Sequence, residues 1–425
     1  MRRIGLVLAL AVFASTLPAA APALDNNGEL KVLVILGTWG PQPFPRDQAQ
    51  DAVFTRGDAF VRENSFGQAH LAGEVTPWVN AFDAPPACGT PAEQRDLATK
   101  AQAAARAAGF AVDSYSRFIY AFPFEDRCGY LGYGSLREVW LNGPQAITSR
   151  VATHELGHTF GLEHAHRHDC SGGGCVEVEY GDPFDTMGSG VGDYNAYEKY
   201  VAGWLKNVLR PDSAGDYTID QLERPSAQPQ AIDVQTAHSE YWFDHREPIG
   251  ADAVFAGAPI VEGVEVHAGP PTSDPTAPSQ YATANTLLPN PGGKGIPVLL
   301  PGDSFAERDA FRLTTTAHTG TTVTVHFEWT DTTAPSRPAV SVPKKAKRNR
   351  PFRVAWEQST DDGSGVGHYD VSLDGKLVTH LVADFKLPTQ ASVRAKRVGR
   401  HSVTVVAVDR AGNRSKAAAK TIVVR

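Results

Sequence analysis

"VATHELGHTFGLEHA", residues 151–165, decides how the rest of the chain is read. From about Gln145 the sequence reads as helical, with Ile147, Val151 and Leu156 near one apolar face. His154 and His158 are four residues apart, so on a helix their imidazoles leave the same side one turn apart. Two imidazoles at that spacing can hold one zinc ion. Gly161 can take a positive φ, which ends the helix and turns the chain back. That turn brings His164 toward a third ligand position. Three neutral ligands leave a place for water, whose pKa zinc lowers toward ~7. Glu155, next to the first ligand, is placed to take a proton from that water and pass it to a leaving amine. This is the chemistry of peptide-bond hydrolysis. His166 and His168 compete for the third place. The offset of Gly161, three residues before His164, favours His164 and leaves the other two at the surface or behind the ligands.

Working outward, the context is one of export. Arg2 and Arg3 precede an apolar run, Ile4 to Leu17, and small residues follow, with Ala21 and Ala23 spaced for cleavage. Residues 1–23 are expected to be a secretory signal peptide, and the mature protein to be secreted and extracellular. No later segment is long and apolar enough for a transmembrane span. The expected mature end lies a few residues before the first strand, leaving no room for an inhibitory pro-domain. The four cysteines, Cys88, Cys128, Cys170 and Cys175, suit two disulfides in that compartment. Cys170–Cys175 across the Ser-Gly-Gly-Gly loop is the favoured pair, which leaves Cys88–Cys128. A zinc knuckle is the rival reading, but there is no CxxC pair.

The 425 residues suffice for two or three packed domains. "KVLVILGTWG" opens with a run fit for a buried strand. Asp47 to Arg62 has roughly helical spacing. "TPAEQRDLATKAQAAARAAG" is a stronger helix: Thr90 caps, Pro91 takes the first position, Glu93 completes a capping box and Gly109 ends it. "SRFIYAFPF" reads as a strand. Alternating elements predict a mixed α/β domain over 24–210. From 211 to 330, runs such as "YWFDHR", "IVEGVEVH" and "TTVTVHFEW" between Pro- and Gly-rich turns predict a β-sandwich. Residues 331–338, "DTTAPSRP", read as a linker. The short, regularly spaced strands of 339–425 suit a small immunoglobulin-like sandwich. The expected fold class is therefore α+β, a mixed α/β catalytic domain followed by β-sandwich domains.

Charge divides the same way. Residues 24–335 hold 20 Lys+Arg against 40 Asp+Glu, and residues 336–425 hold 18 against 7. A solvated basic module is the plain reading. Adhesion of that module to an anionic cell-surface polymer is the sharper one. Nucleic acid is not an expected partner. Asp361 and Asp362 offer carboxylates to calcium, with an acidic turn as the alternative.

The extended motif and a later "YGDPFDTMGSG" together resemble the metzincin metallopeptidases, which carry a methionine turn under the zinc. Met187 is the methionine this implies, packed beneath the histidines without binding the metal. Within that clan the chain resembles the gametolysin-like peptidases in "SFGQAHLAGEVTPWV" (65–79), "VWLNG" (139–143), "HELGHTFGLEHA", "EYGDPFDTMG" and "NAYEKYVAGWL" (195–205). "YWFDHREPIGADA", "VEGVEVH" and "PGDSFAERDAFRL" are similar to the β-rich segment that follows such domains. The segments "STDDGSGVGHYDVSLDG" and "AVDRAGNRS" resemble fibronectin type III-like modules of bacterial secreted enzymes. The resemblance implies a secreted zinc endopeptidase acting on extracellular proteins, with His154, His158 and His164 as ligands and Glu155 catalytic. The competing class is a secreted surface- or polymer-binding protein with a structural metal. It predicts a fourth protein ligand and no base beside an open position, and no fourth ligand is evident.

Overall fold

The computed structural model describes residues 25–40, 42–170, 174–269, 285–290, 297–382 and 387–425. The expected signal peptide lies outside them. The chain is mixed α+β and mostly strand. "KVLVILG" is apolar without alternation because the strand Gly28–Thr38 is covered on both faces. Val32, Val34 and Leu36 enter one core with Ala152 and Leu156. Leu33 and Ile35 enter another with Leu97, Ala101 and Ala105. This strand lies between Ala69–Val75 and Arg117–Phe122, all parallel. Glu138–Asn142 follows in parallel, and the antiparallel strand Gly132–Gly134 forms the edge.

One face of this sheet carries the helix Pro91–Ala107. Its capping box forms as read: Thr90 Oγ1 accepts from Glu93 N at 3.3 Å, and Glu93 Oε2 accepts from Thr90 N at 2.9 Å. The other face carries Ser149–Thr159 and three helical stretches that run on as one, Arg46–Gln50, a π-helical Asp51–Gly57 and Asp58–Asn64. The motif helix starts at Ser149, later than the expected Gln145. Pro144–Ala146 forms a separate 3-10 turn, and Thr148 caps the helix by accepting from Val151 N.

The second region shares a sheet with the first. A four-stranded sheet, Gly215–Asp220, Thr322–Trp329, Phe311–Thr319 and Ser304–Glu307 in that order, packs through Phe311, Leu313, Val325 and Phe327 on a second sheet. That second sheet has seven strands and does not respect residue 210. Its order runs Val176–Val178, His166–Asp169, Thr286–Leu287, Glu265–Gly269, Glu240–Asp244, Ala231–Gln235 and Val208–Leu209. The strand His166–Asp169, just after the histidine motif, thus pairs with a strand of the sandwich region. Strand alternation gives this sheet two uses. Tyr241, Phe243, Val266 and Ala268 face the sandwich core. Trp242, Asp244, Glu265 and His267 alternate with them and are also buried.

Residues 340–382 and 387–424 form three- and five-stranded sheets around Val354, Tyr369, Val371, Val393 and Val405. The segment 331–338 has no regular structure, but it is tied down at its start. Buried Asp331 accepts through Oδ2 from Ser364 N at 2.8 Å and Oγ at 2.7 Å. The module also meets the sandwich through Ala237 N to Gly363 O, 3.1 Å, and Arg410 Nη2 to Gln235 Oε1, 3.4 Å. Asp361 Oδ1 accepts from the N–H groups of Gly363 and Gly365 in its own turn. Disulfides join Cys88 to Cys128 and Cys170 to Cys175; residues 171–173 between the second pair lie outside the described set. Among the described residues, no helix is long and apolar enough to cross a membrane.

Candidate metal centre and cleft

The motif helix stops at a glycine for a physical reason. Gly161 has φ +91°, its N–H donates to His158 O, and Leu162 N–H donates to Gly157 O. This is a Schellman close, which favours glycine at the left-handed position. The turn brings His164 back to the helix. The ring centroids of His154, His158 and His164 lie 5.0, 5.2 and 5.4 Å apart in pairs. Each residue offers a ligand atom within 4.8 Å of the others.

The backbone and one carboxylate orient these rings. Nδ1 of His154 is 2.8 Å from Thr186 O, Nδ1 of His158 is 2.8 Å from Leu162 O, and Nδ1 of His164 is 2.8 Å from Glu179 Oε1. A carbonyl or carboxylate oxygen only accepts, so Nδ1 carries the proton in all three. The lone pairs left to converge are those of Nε2, with outer partners of the kind that hold metal-bound imidazoles. Burial lowers His154 to about 3 and His158 to about 4, and lowers His164 as well. All three are therefore neutral at pH 7, as ligation requires. The residues present fit a zinc ion: three nitrogen donors, neutral and oriented, with no fourth protein ligand in the group. His166 is not in it; its Nδ1 is 2.7 Å from Glu177 Oε1, across the strand pair His166–Asp169 and Val176–Val178.

Glu155 is buried beside the rings, and burial pushes its carboxyl up to about 8. A dication at the imidazoles would draw it back down. Above it runs the edge strand. A Cβ at Gly132 would overlap the Glu155 carboxylate, and one at Gly134 would lie 2.9 Å from His158 Cβ. The two glycines let this strand lie directly on the motif helix. The cleft, about 760 Å³, is lined by Gly132, Gly134, His154, Glu155, His158, His164 and Tyr180. Tyr180 has φ +57°, and its ring is 3.8 Å from that of His164.

Met187 is fully buried beneath the helix. A Cβ at Gly157 would overlap its sulfur, so this glycine is needed for close approach and not for its φ. The methionine turn is held from both sides. Arg150 donates from the motif helix to Gly188 O and Gly190 O. Asp185 accepts from Met187 N at 2.6 Å and from Asn195 N at 2.7 Å. Behind it lies a buried charge network shared with the sandwich. Arg246 reaches Glu265 at 2.5 Å, Asp252 at 3.0 Å and Asp185 at 3.8 Å; Lys199 reaches Asp193 at 3.3 Å; His267 reaches Asp182 at 2.9 Å. Sequence reasoning missed Gly132, Gly134, Glu179, Tyr180 and this whole network. Glu179, Tyr180 and Asp185 sit in the stretch "EYGDPFDTMG", but nothing in their spacing marks a role.

Residues 68–236 match the model of the gametolysin peptidases, family M11. The match spans the motif helix, the methionine turn and the first strands of the sandwich, and it supports a gametolysin-like peptidase, a class of metallopeptidase. No curated protein matches the chain. Solved structures similar to it include fibronectin(III)-like modules of Clostridium thermocellum CbhA, at 20% identity over 21% of this chain and 95% of that one, TM-score 0.17. The glycoside hydrolase domain of Endo-D from Streptococcus pneumoniae matches at 22% identity over 24% of this chain and 17% of that one, TM-score 0.18. The PKD domain of an M14-like peptidase from a Thermoplasmatales archaeon matches at 14% identity over 22% and 96%, TM-score 0.18.

Proposed function

We propose that the chain is a secreted zinc endopeptidase, with His154, His158 and His164 as ligands, Glu155 as general base and acid, and Met187 as the floor of the centre. One observation carries this reading: three neutral, oriented imidazoles converge beside a carboxyl group in an open cleft. Zinc held there would supply a Lewis acid and a water of lowered pKa. Glu155, between the imidazoles and the edge strand, accepts the proton of the attacking water and hands it to the leaving nitrogen. Among the described residues the strand Gly132–Gly134 has a strand partner on one side only, and its other side is offered to an extended peptide. Side-on pairing of this kind suits cleavage within a chain. The apolar leader of the sequence, the two disulfides and the absence of a spanning helix among the described residues support export.

The test is digestion of a library of end-blocked peptides by the mature protein, with and without a zinc chelator, beside Glu155→Gln. The variant should keep its zinc and lose turnover by ~10²–10⁴, the usual share of general acid–base catalysis. Near-normal kcat in the variant, or chelator-insensitive cleavage, would remove this mechanism.

A further inference from the structure

A second cluster of metal-ligating groups lies outside the cleft, at one end of the sandwich. His245 and Glu247 leave the strand Glu240–Asp244 of the seven-stranded sheet, and His318 lies near the end of Phe311–Thr319 in the facing sheet. His245 Nε2 and His318 Nε2 are 3.2 and 3.3 Å from the same oxygen, Glu247 Oε1. The two rings are 5.0 Å apart, within the range of the first centre. One ligand atom from each residue lies within 4.8 Å of the others. A tetrahedral zinc ion with bonds near 2.0–2.1 Å keeps its ligand atoms about 3.3 Å apart.

Counting protons points the same way. His245 Nδ1 is 2.8 Å from Gly263 O, and His318 Nδ1 is 3.2 Å from Glu262 Oε2. His318 Nε2 is also 3.0 Å from Gly320 O. All four ring nitrogens therefore face only acceptors. A neutral imidazole has one N–H, so protons alone would require two imidazolium ions sharing Glu247, with Glu262 facing only one of them. The His245 side chain is fully buried, which disfavours its charged form. A dication instead lets each Nδ1–H satisfy its outer acceptor while each Nε2 gives its lone pair, the arrangement seen for His154, His158 and His164. Two imidazoles and a carboxylate suit zinc; calcium takes an all-oxygen set.

We propose that His245, Glu247 and His318 form a second zinc site, structural in role, which clips the two sheets of the sandwich together. It shares no residue with the cleft.

The full mature chain is equilibrated with micromolar zinc, dialysed, and assayed for bound zinc and for melting temperature. Wild type should hold two equivalents. His154→Ala/His158→Ala and His318→Ala should each hold one, and the combined variant none. Added zinc should raise the melting temperature of His154→Ala/His158→Ala and leave the combined variant unmoved. Glu247→Gln keeps the side-chain shape and serves if His318→Ala fails to fold; it should bind the second equivalent at least tenfold more weakly. A single equivalent in wild type that survives His318→Ala and Glu247→Gln overturns the second site and leaves the cleft reading intact. A single equivalent lost with His318→Ala but not with His154→Ala/His158→Ala does the reverse.

Discussion

Arg246→Met tests whether the sandwich is part of the peptidase body. The guanidinium is fully buried and donates to Glu265, Asp252 and the carbonyl of Asp193. Methionine approximates its length without its charge, so three buried carboxylates, Glu265, Asp252 and Asp185, lose their shared cation. Removing one partner of a buried ion pair costs about 3–5 kcal/mol, because the other charge stays desolvated. For a body of about 300 residues that corresponds to roughly 5–8 °C in melting temperature. The effect should reach the cleft. Asp185 holds the N–H of Met187, and the carbonyl of the adjacent Thr186 orients His154. Zinc should therefore dissociate faster from the variant, although Arg246 touches none of the three histidines. Thermal melts followed by circular dichroism at pH 7, with chelator-competition measurements of zinc release, supply both numbers. Arg312→Met is the control, since its nearest carboxylate, Glu328, is 3.8 Å away and both side chains are largely exposed. A melting shift for Arg246→Met no larger than the control's would refute the coupling of sandwich and cleft.

Gly157→Ala sets helix propensity, worth ~1 kcal/mol in favour of alanine, against overlap with the buried Met187 sulfur. Overpacking of this kind costs about 1–3 kcal/mol, so the variant should lose stability and zinc affinity, and Met187→Ala should restore part of both. A more stable Gly157→Ala with unchanged zinc affinity would contradict the packing argument. Above the range where the lowered imidazoles of His154 and His158 oppose it, stability should fall as pH rises from about 7 to about 9.5. Burial raises Glu63 and Asp185 to about 7 and Asp193 to about 6. Burial lowers His267, but the Asp182 carboxylate more than offsets this, and His267 ends near 9. Each of these four folded pKa values exceeds its unfolded value, so at these groups the folded chain holds more protons. The His267 contribution is complete below about 6.5 and lost as pH passes about 9, a change of roughly 3 kcal/mol. Melts across that range check the sign, and a melting temperature that climbs with pH would reverse it.

What could be read from the sequence was local or periodic. The central strand, the capping box at Thr90, the Gly161 turn and the short disulfide loop each depend on residues within a few positions of one another. The start of the motif helix was missed although Thr148 is a good cap, because apolar spacing ran on through a turn led by Pro144. The edge strand Gly132–Gly134 carries no alternation at all; its glycines matter only because Glu155 and His158 lie beneath them. The strand pairing that crosses residue 210 is not legible in sequence, for a deeper reason. His166 and Arg167 pair with Thr286 and Leu287, about 120 residues later, and no local signal records that pairing. Lys199 and Arg246 look in sequence like ordinary surface charges, yet both are fully buried. Each is buried because folding sets counter-charges against it: Asp193, six residues away, for Lys199, and Asp252, Glu265 and the distant Asp185 for Arg246. A chain cut near residue 210 would keep His154, Glu155, His158 and His164 but leave Asp182 and Asp185 without His267 and Arg246, the cations that allow their burial. The expected smallest stable unit that carries the proposed site therefore extends at least to Trp329, where the last strand of the sandwich ends.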